Sequence, residues 1–177
     1  MTKKADEFRS DIIFYAENGS LFVEGLEDKK EGGRKVAGKG YYDMEEGFKD
    51  FIEAALWSTS VLTDNEEDYN EFADNEFGPE DIDDSSLEKL KNMWDSFVGK
   101  NKDLIEEAMA ATGNDWAQVG HDFWLTSQGH GAGFWDGEWD TEERDFGKEL
   151  TEKADKFRSG IIFYKGDGSE SLSVEGL

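Results

Sequence analysis

The chain has no cysteine, which rules out a disulfide framework, a thiol nucleophile and any cysteine-ligated zinc or iron–sulfur site. A reducing compartment is the expected setting. It has only two histidines, and its 19 Lys and Arg face 43 Asp and Glu, for a formal net charge of −24. Long apolar runs are missing as well. The opening Met1-Thr2-Lys3-Lys4-Ala5-Asp6-Glu7 leads into an amphipathic stretch, so neither a signal peptide nor a transmembrane helix is expected, and export is not. There is no HExxH pair, no nucleophile elbow and no GK[ST] phosphate loop. GHGAG at 129–133 is not a dinucleotide fingerprint, because it neither follows a strand nor opens a βαβ unit.

What is present is rich in rings. Apolar residues make up 36% of the chain and aromatics 14%, so a core built around Trp and Phe is expected. A length of 177 residues suits one domain with a real core, read here as residues 1–177. A surface this acidic repels nucleic acid and anionic lipid and attracts basic proteins. Its plain alternative is solvation, which keeps a protein soluble and monomeric.

The two ends of the chain repeat each other. Residues 4–26 read KADEFRSDIIFYAENGSLFVEGL and residues 153–177 read KADKFRSGIIFYKGDGSESLSVEGL, with Glu170 and Ser171 as an insertion in the second copy. Each copy has a helical lead-in ending near Arg9 or Arg158, followed by an apolar run, Ile12 to Tyr15 or Ile161 to Tyr164. A turn comes next, Glu17-Asn18-Gly19 or Gly166-Asp167-Gly168, and then a short strand, Leu21 to Val23 or Leu172 to Val174. Gly after Asn or Asp between apolar runs signals a hairpin, because those residues tolerate positive φ. Isolated hairpins are marginal in water, so the two are expected to pair in one antiparallel sheet, with Ile13 and Ile162 on equivalent faces. Pairing between two copies, giving a homodimer, is the alternative.

Residues 27–40 are rich in Gly and Lys and read as a flexible linker ahead of a main body over 41–177. From Asp43 the period becomes helical. Phe48, Phe51, Ile52, Ala55 and Leu56 predict a helix over 43–58, with Trp57 closing its buried face. A longer helix is expected to start at Ser85, in a capping box with Glu88, and to run through Met109 with Gly99 as a candidate break. Shorter helices are expected over 115–126 and 143–158. The fold class is therefore α+β: a small antiparallel sheet from two homologous terminal β-hairpins, packed against three or four helices.

From Asp50 to Glu88 there is no Lys, Arg or His, while acids recur throughout. The run from Asp64 fails as a calcium loop, because Tyr69 stands where glycine is required and Asn75 where Glu is required. Two readings remain. One is a solvated loop. The other is phosphate mimicry, in which Asp64, Glu66, Glu67, Asp68, Glu71, Asp74, Glu76, Glu80, Asp81, Asp83 and Asp84 imitate the charge of a duplex, interleaved with Tyr69, Phe72 and Phe77.

Residues 120–136, GHDFWLTSQGHGAGFWD, hold both histidines. His121-Asp122 at mid-helix and His130 in a glycine-rich loop could make an acid–base site, with Asp122 or Asp136 orienting an imidazole. A two-His, one-carboxylate metal set of His121, His130 and Asp136 is the other chemical option. The structural option is an aromatic core of Phe123, Trp124, Phe134 and Trp135, with the histidines held by hydrogen bonds.

The same run resembles a family of uncharacterised tailed-phage proteins that carry His-Asp-Phe-Trp-Leu-Thr followed by Gly-His-Gly-Ala-Gly-Phe-Trp-Asp. The similarity extends over about residues 45–170, through Ala55-Leu56-Trp57-Ser58 and Pro79-Glu80-Asp81-Ile82. It implies a phage source, an early or accessory role and the cytoplasm of a bacterial host, and no mechanism. Together with the charge, it leads to the expectation of an acidic inhibitor that binds the basic surface of a host DNA-processing or defence enzyme. No cofactor, no metal, no direct nucleic-acid binding and no membrane are expected. A small hydrolase or ligand-binding domain centred on His121 and His130 is the alternative.

Overall fold

A computed structural model describes residues 13–15, 21–23, 45–63, 72–136, 138–166 and 169–176. The chain, read from sequence as one domain, divides by its contacts into two compact units, Met1–Arg34 and Lys35–Leu177. In the first, β1 (Ile13–Tyr15) and β2 (Leu21–Val23) form an antiparallel ladder with Phe14 opposite Phe22. The lead-in to Arg9, the turn at Glu17-Asn18-Gly19 and the linker 27–40 lie outside the described residues.

In the second unit, the apolar spacing beginning at Phe48 forms α1 (Glu46–Ser58), with Phe48, Phe51, Ile52, Ala55 and Leu56 buried as the period requires. Trp57 corrects the sequence reading: it closes no buried face and is 43% exposed. After α1 comes β3 (Val61–Thr63), then α2 (Asp84–Thr112), α3 (Trp116–Gln128), α4 (Phe146–Ala154), β4 (Ile162–Lys165) and β5 (Ser173–Glu175). Short 3-10 turns stand at Ala73–Asn75, Pro79–Asp81, Phe134–Asp136 and Asp155–Phe157. The class is α+β.

The sheet is mixed, where an antiparallel one was expected. Its order is β3-β4-β5, with β4 parallel to β3 and antiparallel to β5. The C-terminal hairpin forms, but β4 pairs on its other edge with Val61-Leu62-Thr63, and β1–β2 is a separate two-stranded sheet rather than part of this one. Val61, Phe163 and Val174 sit opposite one another across the three strands, and all are buried. That row makes this face of the sheet part of the core. The repeats also differ in register: Phe14 opposes Phe22, whose counterpart is Ser173, whereas Phe163 opposes Val174. The pairing has moved by one residue, the kind of slip that exchanges the two faces of a strand.

Helix α2 begins one residue before Ser85 and is capped by Asp83. The Asp83 carboxylate accepts from Ser86 N at 2.9 Å, Ser86 Oγ at 2.8 Å and Ser85 Oγ at 2.6 Å. Ser86 Oγ also accepts from Val174 N at 2.8 Å, so this cap ties the helix to β5. Gly99 breaks nothing, since it is exposed with open space around its α-carbon and α2 runs on to Thr112. Glycines in the left-handed region end α2 and α3, Gly113 at φ 85° and Gly129 at φ 74°.

Burial pushes the Asp83 carboxyl up, but the hydrogen bonds from Ser85 and Ser86 outweigh it and hold the group below its ordinary value. A depressed folded-state pKa contributes stability above the unfolded value, which is lost as pH falls through the folded one. Asp83→Ala should therefore lower stability by about 1–2 kcal/mol at neutral pH, while Ser85→Ala costs less. In thermal melts the deficit of Asp83→Ala should shrink as pH drops below 3.8. A deficit that is constant with pH would remove the carboxylate from this role.

Candidate functional site

The core around α3 is aromatic. Phe97 and Phe123 stack at 3.9 Å and 6°, Phe51 lies 5.5 Å from Phe123, and Trp124 meets Phe51 edge-on at 5.2 Å. Buried indoles need a partner for their N–H. Trp124 Nε1 donates to Ser58 Oγ at 2.9 Å, Trp94 Nε1 to Glu45, and Trp139 Nε1 to Asp122 Oδ2 at 2.6 Å. The expected aromatic core is thus right for Phe123, Trp124 and Phe134. It is wrong for Trp135, which is 41% exposed; Trp139 fills the interior in its place.

Asp122 is the chemical centre of this region. Its side chain is 2% exposed. Gln118, one turn earlier on α3, donates Nε2 to Asp122 Oδ1 at 2.9 Å, and His121 Nδ1 lies 3.0 Å from the same oxygen. A carboxylate only accepts, so this contact places a proton on His121 Nδ1. The His121 ring is 38% exposed and stacks on Trp57 at 5.7 Å and 25°.

The residues proposed to share a site with this pair do not join it. After His121, α3 continues to Gln128, about 10 Å of axis at 1.5 Å per residue. His130 follows the Gly129 cap, its N–H donating to Leu125 O at 2.9 Å, and burial pushes its imidazole below the ordinary histidine value. Asp136 is exposed on the 3-10 turn. Among the described residues no three His, Cys, Asp or Glu side chains are placed to hold a metal ion. The triad of His121, His130 and Asp136 is not assembled.

Of the acidic segment, Asp64, Glu66, Glu67, Asp68 and Glu71 lie outside the described residues. Asp74, Glu76 and Asp84 are exposed, and Glu80 is half-buried. Asp81 and Asp83 are occupied by the fold itself: Asp81 Oδ2 accepts from Gly78 N at 2.8 Å, and Asp83 caps α2.

The acidic segment read from Asp50 onward begins in a stripe that the sequence reading did not draw. Glu46, Asp50, Glu53 and Trp57 follow at spacings of four, three and four on α1, which places them in one stripe. Glu46 and Glu53 are exposed and Asp50 is half-buried. Burial raises the Asp50 carboxyl above its ordinary value, and Glu53, Glu46 and Asp115 push it the same way, opposed by His121. At the other end of the stripe, Glu45, Glu46, Trp94, Val98 and Trp116, together with Gly47, Lys102 and Glu106, line a groove of about 420 Å³. The outcome is a stripe of three carboxylates with an indole at each end, with Lys49 beside it on the same helix. Its spacing was legible; the exposure of Trp57 was not, because an aromatic on an apolar helix reads as core.

No protein-family model, curated protein or solved structure matches the chain.

Proposed function

We propose that the protein is an acidic accessory protein of tailed-phage type that binds the basic surface of a bacterial nucleic-acid-acting enzyme and inhibits it, in the host cytoplasm. The carrying observation is the α1 stripe itself, where exposed Glu46 and Glu53 flank half-buried Asp50; burial first, and then Glu53, Glu46 and Asp115, raise the Asp50 carboxyl. A cationic surface relieves like-charge repulsion, and complementary charge speeds and selects an encounter. The exposed Trp57–His121 stack beside these acids suits an arginine, whose guanidinium stacks on aromatic faces while its fork engages carboxylates. One stripe supplies about one charge per 5.4 Å of helix, sparser than the 3.4 Å per charge of a single DNA strand. Mimicry of a duplex would thus require Asp74, Glu76 and Asp84, and the acids of residues 64–71, to act with it.

Neutralising Glu46, Asp50 and Glu53 to Gln and Asn should weaken inhibition of a susceptible restriction or CRISPR-type nuclease by about tenfold or more, 1.4 kcal/mol, with the melting temperature unchanged or raised. Inhibition by the parent protein should also fall steeply with salt, since exposed charges are screened over about 8 Å at physiological ionic strength. The reading fails if no such enzyme in a broad panel is inhibited, or if inhibition survives both the neutral variant and salt.

A second reading, a small hydrolase or ligand-binding domain at His121, has the Asp122–His121 dyad in its favour. It predicts that His121→Ala abolishes the biological effect while the neutral-stripe variant keeps it.

A further inference from the structure

Among the described residues, a cleft of about 310 Å³ between the middle of α2 and the end of α4, lined by Lys100, Asn101, Lys153, Lys156 and Phe157, departs from the acidic character of the chain. No carboxylate lines it. Its floor is fixed, because Phe157 stands edge-on to the buried Phe97 and Phe123 at 5.8 and 5.5 Å. Lys100 Nζ lies over the Phe157 ring, 5.3 Å from its centroid, which holds that ammonium at the cleft.

Two of the neighbouring acids are committed elsewhere. Lys153 follows Glu149 by one turn and its field reaches that carboxylate. Yet both Glu149 oxygens are taken by Arg144, from Nε at 2.7 Å and Nη2 at 2.9 Å. Asp155 pairs with Arg158 at 3.7 Å. Among the described residues, none of Lys100, Lys153 and Lys156 enters an ion pair. Three lysines therefore line one small cavity that has no carboxylate in its lining, in a chain of net charge −24.

We propose that this cleft binds a small polyphosphate, either free or as the phosphate chain of a nucleotide. Lysine is a point-charge binder of phosphate, and three of them match the several charges of a di- or triphosphate better than the one or two of a single oxyanion. The volume lies at the lower end of the range for small-ligand sites. Net charge then selects size. A nucleic-acid polymer would lay many phosphates against the acidic surface outside the cleft, whereas a compact ligand stays within about 8 Å, one screening length, of the lysines.

Calorimetric titration of the full chain with inorganic triphosphate tests this, with sulfate, ATP and a short single-stranded oligonucleotide as comparisons. One saturable site is expected, with sulfate weaker by about tenfold or more. The double variant Lys100→Ala/Lys156→Ala should lose about tenfold or more in triphosphate affinity while its melting temperature stays that of the parent, both side chains being exposed. ATP binding more tightly than triphosphate assigns the site to nucleotides, and equal affinities assign it to the phosphate chain alone. Absence of saturable triphosphate binding, binding unaffected by the double variant, or tighter binding of the oligonucleotide would each overturn the proposal.

Discussion

Asp122→Ala is expected to destabilise the protein by about 3 kcal/mol or more and to lower its melting temperature by about 10 °C. The reason is the number of donors it satisfies from a buried position: Trp139 Nε1 at 2.6 Å, Gln118 Nε2 at 2.9 Å and His121 Nδ1 at 3.0 Å. Trp139 is fully buried, so its indole N–H would be left without the carboxylate oxygen it donates to. Gln118 and His121 are only half-buried and can turn towards solvent, which keeps the cost below three full desolvation penalties.

Asp122→Asn separates shape from charge. Its amide oxygen can keep Trp139 if its NH2 faces the other two partners, which requires Gln118 to turn its own amide and His121 to move its proton from Nδ1 to Nε2. A loss of about 1 kcal/mol is expected for such an exchange. The tautomer change is visible in the nitrogen chemical shifts of the imidazole. If Asp122→Asn leaves His121 with its proton on Nδ1, the carboxylate does not orient that ring.

The first two helices were legible because each repeats apolar residues at helical spacing, and most of that stripe is buried, Trp57 being the exception. Their ends were not, since Asp83 and Ser85 both have capping side chains, and only the fold of α2 onto β5, through Ser86 and Val174, selects Asp83. The duplicated ends announced hairpins, but not their partners. Val61-Leu62-Thr63 is too short to carry a strand signal, yet it is the segment that pairs with β4. At the candidate site, His121 and Asp122 were visible as neighbours in sequence. The contribution of Trp139 was hidden, because it arrives from a loop seventeen residues away. Helical rise separates His121 from His130, a constraint the motif does not display on its own.

Gly120→Ala should be the most damaging single-methyl change in the protein. A β-carbon at 120 would overlap the Gly47 carbonyl oxygen and stand 2.9 Å from both Gly47 C and Phe51 N, so the obstruction is the backbone of α1 rather than a side chain able to swing aside. Gly47 is itself pressed against α3 and the core, where a β-carbon would lie 2.6 Å from the Trp116 carbonyl oxygen and 2.8 Å from the Trp94 ring. The two glycines let α1 and α3 approach backbone to backbone. Separating the helices to admit a methyl would loosen the stack of Phe51 on Phe123 and the bond from Trp124 to Ser58 together. Overpacking ordinarily costs about 1–3 kcal/mol. With backbone on both sides, the upper end or beyond is expected, about 3 kcal/mol and a fall of about 10 °C in melting temperature. Ala is a better helix former than Gly by about 1 kcal/mol, so Gly99→Ala, which meets open space on α2, should stabilise and serves as the matched control. A Gly120→Ala variant melting within a degree or two of its parent would show that α1 and α3 do not meet at this point.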